Sequence, residues 1–393
     1  MDAMRIDRRA GLTVGWLTMF VVGTDLFVVS PLLPMIAADY RISPATAGLC
    51  VTGFAGAYMI GAPLFGHVAD RIGRRRMLVC CLAAFAMANL LTAVAASLVW
   101  LIIARVAAGA AAAGTSPSVY ALVGSAAPPE RRATWMALVV SGLLVSLALG
   151  APIGAWVGAW IGWAPVFAAL AALSLCLIWP NLRVWPSDPG MPADADAPLC
   201  AIPTGLIVRR MMPMIAWSTG LYGMYTYLGT GLAMAGLSTE TTARSILFYG
   251  CGAIAGILIG GRLTDRLGAK FMLTASFMGL SVCFLVLQFA VHAGAMIEFA
   301  LVLTSAVAQL FFPAQQASLV TDFPSRRATM LAWNNSALFL GIGLGSLAGG
   351  RAVALGGFEA NLLMCAGIAL AGCVITGIVV PASASAQEAN RPV

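Results

Sequence analysis

Charge is scarce in this chain. Of its 393 residues only 9% are Asp, Glu, Lys or Arg and 61% are hydrophobic, too little polar surface to clothe a soluble globule. Histidine is scarcer still. His67 falls in a charged turn and His292 at the far end of an apolar run, so neither can serve a serine buried in mid-span or share a metal site. No Gly-x4-Gly-Lys-Ser/Thr phosphate loop occurs, which speaks against ATP-driven pumping. The 9 cysteines are scattered without metal-ligand or disulfide-framework spacing and read as small apolar core residues. The net charge is +7, yet no basic patch is interleaved with exposed aromatics, and nucleic acid is not an expected partner. The expectation is therefore not an enzyme, with no metal and no cofactor.

What the chain has instead is long apolar runs. About 20 apolar residues suffice for one membrane helix, and the runs fit twelve spans: 11–34, 47–66, 77–95, 98–122, 134–158 and 163–182, then 211–234, 241–262, 271–291, 296–320, 329–352 and 357–380. A β-barrel would show segments of about ten residues alternating in polarity; these runs are continuous and rich in Ala, Leu and Gly. With the N-terminus placed inside, every Lys and Arg except Arg41, Arg105, Arg244 and Arg351 falls in the tails or inner loops, which puts both termini in the cytoplasm. Met1 to Arg9 is basic and precedes a long first span without a small-residue cleavage site, the pattern of an uncleaved anchor.

The chain is a duplication. Gly66-x3-Asp70-Arg71-x-Gly73-Arg74 returns as Gly261-x3-Asp265-Arg266-x-Gly268, and Arg131-Arg132-Ala133-Thr134 returns as Arg326-Arg327-Ala328-Thr329; both matches have one offset (265 − 70 = 195; 326 − 131 = 195). The glycines of the turn permit a tight connection and close helix approach, and its Asp is suited to accept from N–H groups at a helix N-terminus. The expected organisation is a bundle over 1–182, a Pro- and Asp-rich cytoplasmic linker over 183–208, a second bundle over 209–380 and a tail over 381–393.

Asp25 sits near the middle of the first span, where a carboxylate is costly to ionise and commonly marks an ion path; the alternative is a structural acid bonded to a neighbouring helix. Pro31 and Pro34 are expected to loosen the outer end of that span. Arg105 lies inside the fourth span and must snorkel, pair or meet water. In the fifth span, Gly150, Pro152 and Gly154 make a pliant, small-residue face. The second half has no acid matching Asp25, since position 220 is Gly. It offers tyrosines and amides instead, and Tyr222, Tyr225, Gln309, Gln315, Asn334 and Asn335 are candidates to line a polar cavity.

The repeated turn resembles the loop signature of the major facilitator superfamily, and the resemblance covers essentially the whole chain. It implies an all-α integral membrane protein of twelve transmembrane helices in two pseudo-symmetric six-helix bundles. Arg105-x3-Gly109 is similar to the family's fourth-helix signature, with Ala108 where Gln is usual. There the arginine is linked to proton coupling, which makes Asp25 its candidate partner. Residues 150–155 are similar to the antiporter-type Gly-Pro-x-x-Gly-Gly, with Ala151 and Ala155 replacing glycines. Thr24 to Pro34 resembles the first helix of bacterial drug/proton antiporters.

The resemblance implies a monomer in the bacterial inner membrane whose partners are lipid, protons and a small molecule. It would exchange protons for drugs or amphipathic metabolites through Asp25 and Arg105. Sugars, nucleosides or siderophores as cargo, and proton-coupled uptake, stand as alternatives. The gate set would be Gly66, Asp70, Arg71, Gly73, Arg74, Asp265, Arg266 and Gly268, with Asp70 capping the eleventh span near Thr329 and Asp265 the fifth near Thr134.

Overall fold

The computed structural model describes residues 8–128, 131–186, 203–292, 296–323 and 327–380. Every described segment is built from helices. In order they are α1 Arg8–Asp39, α2 Pro44–Ala47, α3 Leu49–Ile72, α4 Arg74–Ala93, α5 Leu98–Ala126, α6 Arg132–Val145, a π-helical turn Ser146–Gly150, α7 Ala151–Ile161 and α8 Trp163–Val184. They continue with α9 Thr204–Thr226, α10 Leu228–Met234, α11 Thr239–Leu267, α12 Ala269–Ala290, α13 Met296–Gln309, α14 Phe311–Asp322 and α15 Arg327–Val379. The stretch Thr329–Val379 spans 51 residues, enough at about 1.5 Å per residue to cross a bilayer twice. Non-helical φ/ψ at Gly356 and Gly357, with φ 72° at Gly357, divide it into the eleventh and twelfth passes.

Proline accounts for two irregularities and fails to produce a third. Pro152 has no N–H to give to the carbonyl of residue 148, and the ladder widens just before it into the π turn, where Ala151 N–H bonds to Ser146. Pro313 likewise leaves the carbonyl of Gln309 without its usual donor, and the tenth pass lapses at Leu310 between α13 and α14. By contrast α1 continues through Pro31 and Pro34 to Asp39, so the helix is unbroken where the sequence suggests loosening. It is held there by packing: Leu32, Leu33 and Ile36 are almost fully buried.

The chain divides into two compact units, Met1–Ile42 with Leu49–Pro198, and Ser43–Gly48 with Leu199–Val393. In the first, α1 packs along the fifth pass, formed by α6, the π turn and α7. In the second, α9 packs along α15. Both contacts rest on the absence of a Cβ. A methyl group on Gly150 would collide with Thr24, and one on Gly345 with the carbonyl of Thr219; Gly345 and Thr219 are Gly150 and Thr24 moved by 195 residues. A serine lies beside these contacts in each unit, on opposite helices. Gly23 of α1 faces Ser146, whereas Ser218 of α9 faces Gly341, so the two units solve one packing problem with the residues exchanged. The second unit also ties in Ser43–Gly48: Ser346 Oγ donates to the carbonyl of Gly48 at 2.8 Å, and Tyr227 Oη donates to the carbonyl of Ser346 at 2.8 Å.

Candidate functional site

The site is built around Asp25 on α1 and Arg105 on α5. Arg105 Nη1 donates to Asp25 Oδ1 at 2.7 Å and Nη2 to Oδ2 at 2.9 Å, a bidentate pair. Asp25 is 0% and Arg105 2% exposed. Snorkelling is thus excluded for Arg105, and the two residues that the sequence left as candidate partners are brought together. The guanidinium lies between two aromatic faces, 4.9 Å from the Phe54 ring centroid on α3 and 5.2 Å from Phe167 on α8. Its Nε has no hydrogen-bond partner among the described residues.

The Arg-x3-Gly spacing has a local reason. Gly109 stands one helical turn beyond Arg105 on the same face, and a Cβ there would strike the backbone of Phe54, 2.8 Å from both its C and Cα. Glycine lets α5 close onto α3 at the residue whose ring covers the arginine. Ala108, where the resemblance would put Gln, is fully buried. On the other side of the pair, Thr24 packs against Gly150 of the π turn and Gly154 against Val28. The Gly150-Pro152-Gly154 face therefore bears on the helix that holds the acid, immediately beside it.

A carboxylate and a guanidinium that share two hydrogen bonds away from water form a neutral unit. Removing one partner leaves the other as an uncompensated buried charge, at a cost of about 3–5 kcal/mol. Protonating Asp25 has the same electrical consequence. In the second unit the equivalent positions are Gly220 and Ala300, and the pair has no counterpart.

The other expected residues separate into groups. Gly73 and Gly268 adopt φ of 92° and 84° and make the tight connections foreseen for the repeated turn. Gly66 and Gly261 have open space where a Cβ would stand. Arg71 and Arg266 are exposed, and Arg74 is half-buried with contacts of its own. Asp265 is exposed and has no described partner within its own unit. The side chains of Asp70, Arg132 and Arg327, with all of Arg326, lie outside the described residues, as do 187–202 of the linker and the tail 381–393. The repeated turn does have one firm contact in each unit. Arg75 Nη1 donates to the carbonyls of Leu182 and Trp185 at 3.4 and 3.1 Å, and Lys270 Nζ to that of Gly377 at 3.2 Å.

Of the six cavity candidates, Gln315 and Asn334 are occupied with each other. Gln315 Nε2 donates to Asn334 Oδ1 at 3.3 Å and to the carbonyl of Arg210 at 3.2 Å. That backbone belongs to a cluster the sequence did not signal. The Arg210 guanidinium, 5% exposed, pairs with Asp322 and donates to Ser318 Oγ at 2.8 Å and to the carbonyl of Val379 at 3.3 Å. Read as inner flanks, Arg210 and Asp322 carried no message. The available sign is that α9 begins at Thr204, six residues earlier, which places Arg210 in the body of the helix. Tyr222 and Tyr225 lie in an aromatic array with ring centroids 6.4 Å apart; Gln309 is buried and Asn335 half-buried.

Comparison with known proteins places these features in a family. The Major Facilitator Superfamily model matches residues 15–247 and 204–393. An uncharacterized MFS-type transporter of Bacillus subtilis, YceJ, is 28% identical over 342 residues, covering 84% of this chain and 86% of its own. A chloramphenicol resistance protein of Streptomyces lividans is 27% identical over 260 residues, 65% of this chain and 66% of its own. Among solved structures, an inward-facing, occupied bacterial homolog of the human lysosomal transporter Spinster aligns with a TM-score of 0.79 at 16% identity, covering 94% of this chain and 96% of that one. A D-xylose–proton symporter aligns at 0.78, also at 16% identity, covering 95% and 98%. At these identities the structural likeness concerns the fold.

Proposed function

Because the chain belongs to the Major Facilitator Superfamily and is thus a multi-pass membrane transporter, we propose that it exports small organic molecules by alternating access, in exchange for protons carried on Asp25. The single observation that carries this reading is the closed Asp25–Arg105 pair. It is an ion pair at mid-depth whose charge changes by one when a proton binds, flanked by the pliant π turn of the fifth pass. A proton arriving from outside frees the guanidinium, and reorganisation around that new charge is the step that opens the transporter to the other side. Release of the proton inside restores the pair. The driving force is about 2.3 kcal/mol per charge per 100 mV of membrane potential, plus the pH gradient.

Export is favoured over uptake by the small-residue face of the fifth pass and by relatives whose names record resistance or efflux, the chloramphenicol resistance protein and a probable sugar efflux transporter of Helicobacter pylori. The proposal includes a monomer in a bacterial inner membrane with both termini cytoplasmic, and gate roles for Asp70 and Asp265. Everted vesicles loaded with a pH-quenched acridine dye test it. Adding chloramphenicol should discharge the imposed proton gradient with the natural protein and not with Asp25→Asn. Discharge by that variant at the natural rate would defeat the assignment.

A further inference from the structure

The buried pair says how transport is driven and leaves open what is carried. Two observations bear on that, one of charge and one of shape. The sequence contains 15 Asp and Glu residues, and Asp25 is the one at mid-depth of a span. It is already closed by Arg105. In the second unit the described acids stand at helix ends. Glu240 and Glu298 lie in first turns, Asp265 near the end of α11, Asp322 at the end of α14 against Arg210, and Glu359 beside His292. A cation taken to mid-membrane would find no free carboxylate, and a bare charge there is expensive.

The second unit offers a surface of another kind. Trp217 on α9 is buried, its Nε1 satisfied by the carbonyl of Ala308 at 2.8 Å, and its ring is stacked on Phe311 at 5.1 Å and 10°. This fixed platform holds two half-buried rings from different passes, Tyr222 at 6.4 Å and 82° and Phe312 at 6.3 Å and 47°. Gln316 lies one turn beyond Phe312 on the same face and is also half-buried. Neither the Tyr222 hydroxyl nor the Gln316 carboxamide has a partner among the described residues. Such groups are costly to leave against hydrocarbon and are free to bond a bound molecule. Two half-buried aromatic rings braced on one platform, with a free phenol hydroxyl and an amide one turn from the second ring, suit a flat apolar ring that carries hydrogen-bonding substituents.

Resting on the exporter reading above, we infer that the substrate is an uncharged aromatic molecule that docks on Tyr222 and Phe312 of the second unit. A lipophilic cation has no counter-charge here.

Binding to the purified full-length protein tests this apart from transport. Calorimetric titration is run with three probes: chloramphenicol, a neutral nitroaromatic; tetraphenylphosphonium, an aromatic cation; and D-xylose. Chloramphenicol should bind most tightly, Tyr222→Leu should weaken it about tenfold, and Tyr222→Phe by less, since the ring is kept and one hydroxyl lost. Phe312→Leu gives a second, independent reading of the platform. Tighter binding of the cation or the sugar, absence of chloramphenicol binding, or unchanged affinity in both Leu variants would overturn the inference. A protein that binds chloramphenicol in this way but fails the vesicle test keeps the substrate class and loses proton coupling.

Discussion

Lys270 Nζ donates to the carbonyl oxygen of Gly377, and both residues lie 195 positions after a pair that makes the same contact, Arg75 and Leu182. The last carbonyls of a helix have no donor within it and carry the negative end of its dipole. In each unit a basic residue of the repeated turn caps the final helix of its own unit. The turn therefore has a duty besides topology: it fastens the third pass of each half to the sixth.

Arg75→Ala and Lys270→Ala should each lower stability, by about 0.3–1 kcal/mol, the usual range for a cation at a helix C-terminus. Arg75→Lys should recover part of the loss. Thermal unfolding in detergent measures it. A gate residue would instead alter transport rate with the unfolding temperature unchanged.

The exchanged serine and glycine make a double-mutant cycle. Gly23→Ser should destabilise the first unit, because the new side chain meets Ser146, with a cost of about 1–3 kcal/mol for overpacking. Adding Ser146→Gly reproduces the arrangement of Ser218 and Gly341 and should restore most of it. A double variant no more stable than Gly23→Ser would show that the two units do not share this interface.

Gly109→Ala should be costly although alanine is the better helix former. The added methyl group meets backbone at Phe54, where only movement of α3 against α5 relieves it. A loss of about 1–3 kcal/mol is expected, with a change in pH-driven transport because the Phe54 ring shifts over Arg105. Gly66→Ala, facing open space, is the control and should be neutral or slightly stabilising.

The Arg210–Asp322 pair is buried on the arginine side only and should behave differently from Asp25–Arg105. Asp322→Asn strands Arg210, which is almost fully buried, at a cost below the about 3–5 kcal/mol of a fully buried pair, since Asp322 is partly exposed. It should lower the unfolding temperature without abolishing proton-driven transport. Loss of coupling with normal stability would instead make Asp322 part of the proton path.

The passes, the duplication and the one mid-depth acid were legible because each rests on local pattern: run length, a fixed offset, a charge where charge is costly. The tight turns at Gly73 and Gly268 were legible for the same reason. The bidentate contact was not, since 80 residues separate Asp25 from Arg105 and composition says nothing of distance. Arg210 was misleading. Beside Arg209 it reads as an inner flank, and only the early start of α9 puts it in the interior. The bond between Gln315 and Asn334 was not legible, because a sequence shows which groups can bond and not which have already done so. Pro31 and Pro34 were over-read, because burial of the first helix on its neighbours outweighs two missing backbone bonds.

The most direct test of proton coupling is competition between ligand and proton. The affinity of purified protein for chloramphenicol is followed as the pH is lowered; it is expected to fall in the natural protein, where a proton on Asp25 breaks the pair with Arg105, and to stay constant in Asp25→Asn. Because that variant strands Arg105, the doubly neutral Asp25→Asn, Arg105→Gln protein is measured beside it, and it should bind the ligand with an affinity that does not change with pH. A pH dependence in the double variant equal to that of the natural protein would contradict the account, for the proton would then be carried elsewhere.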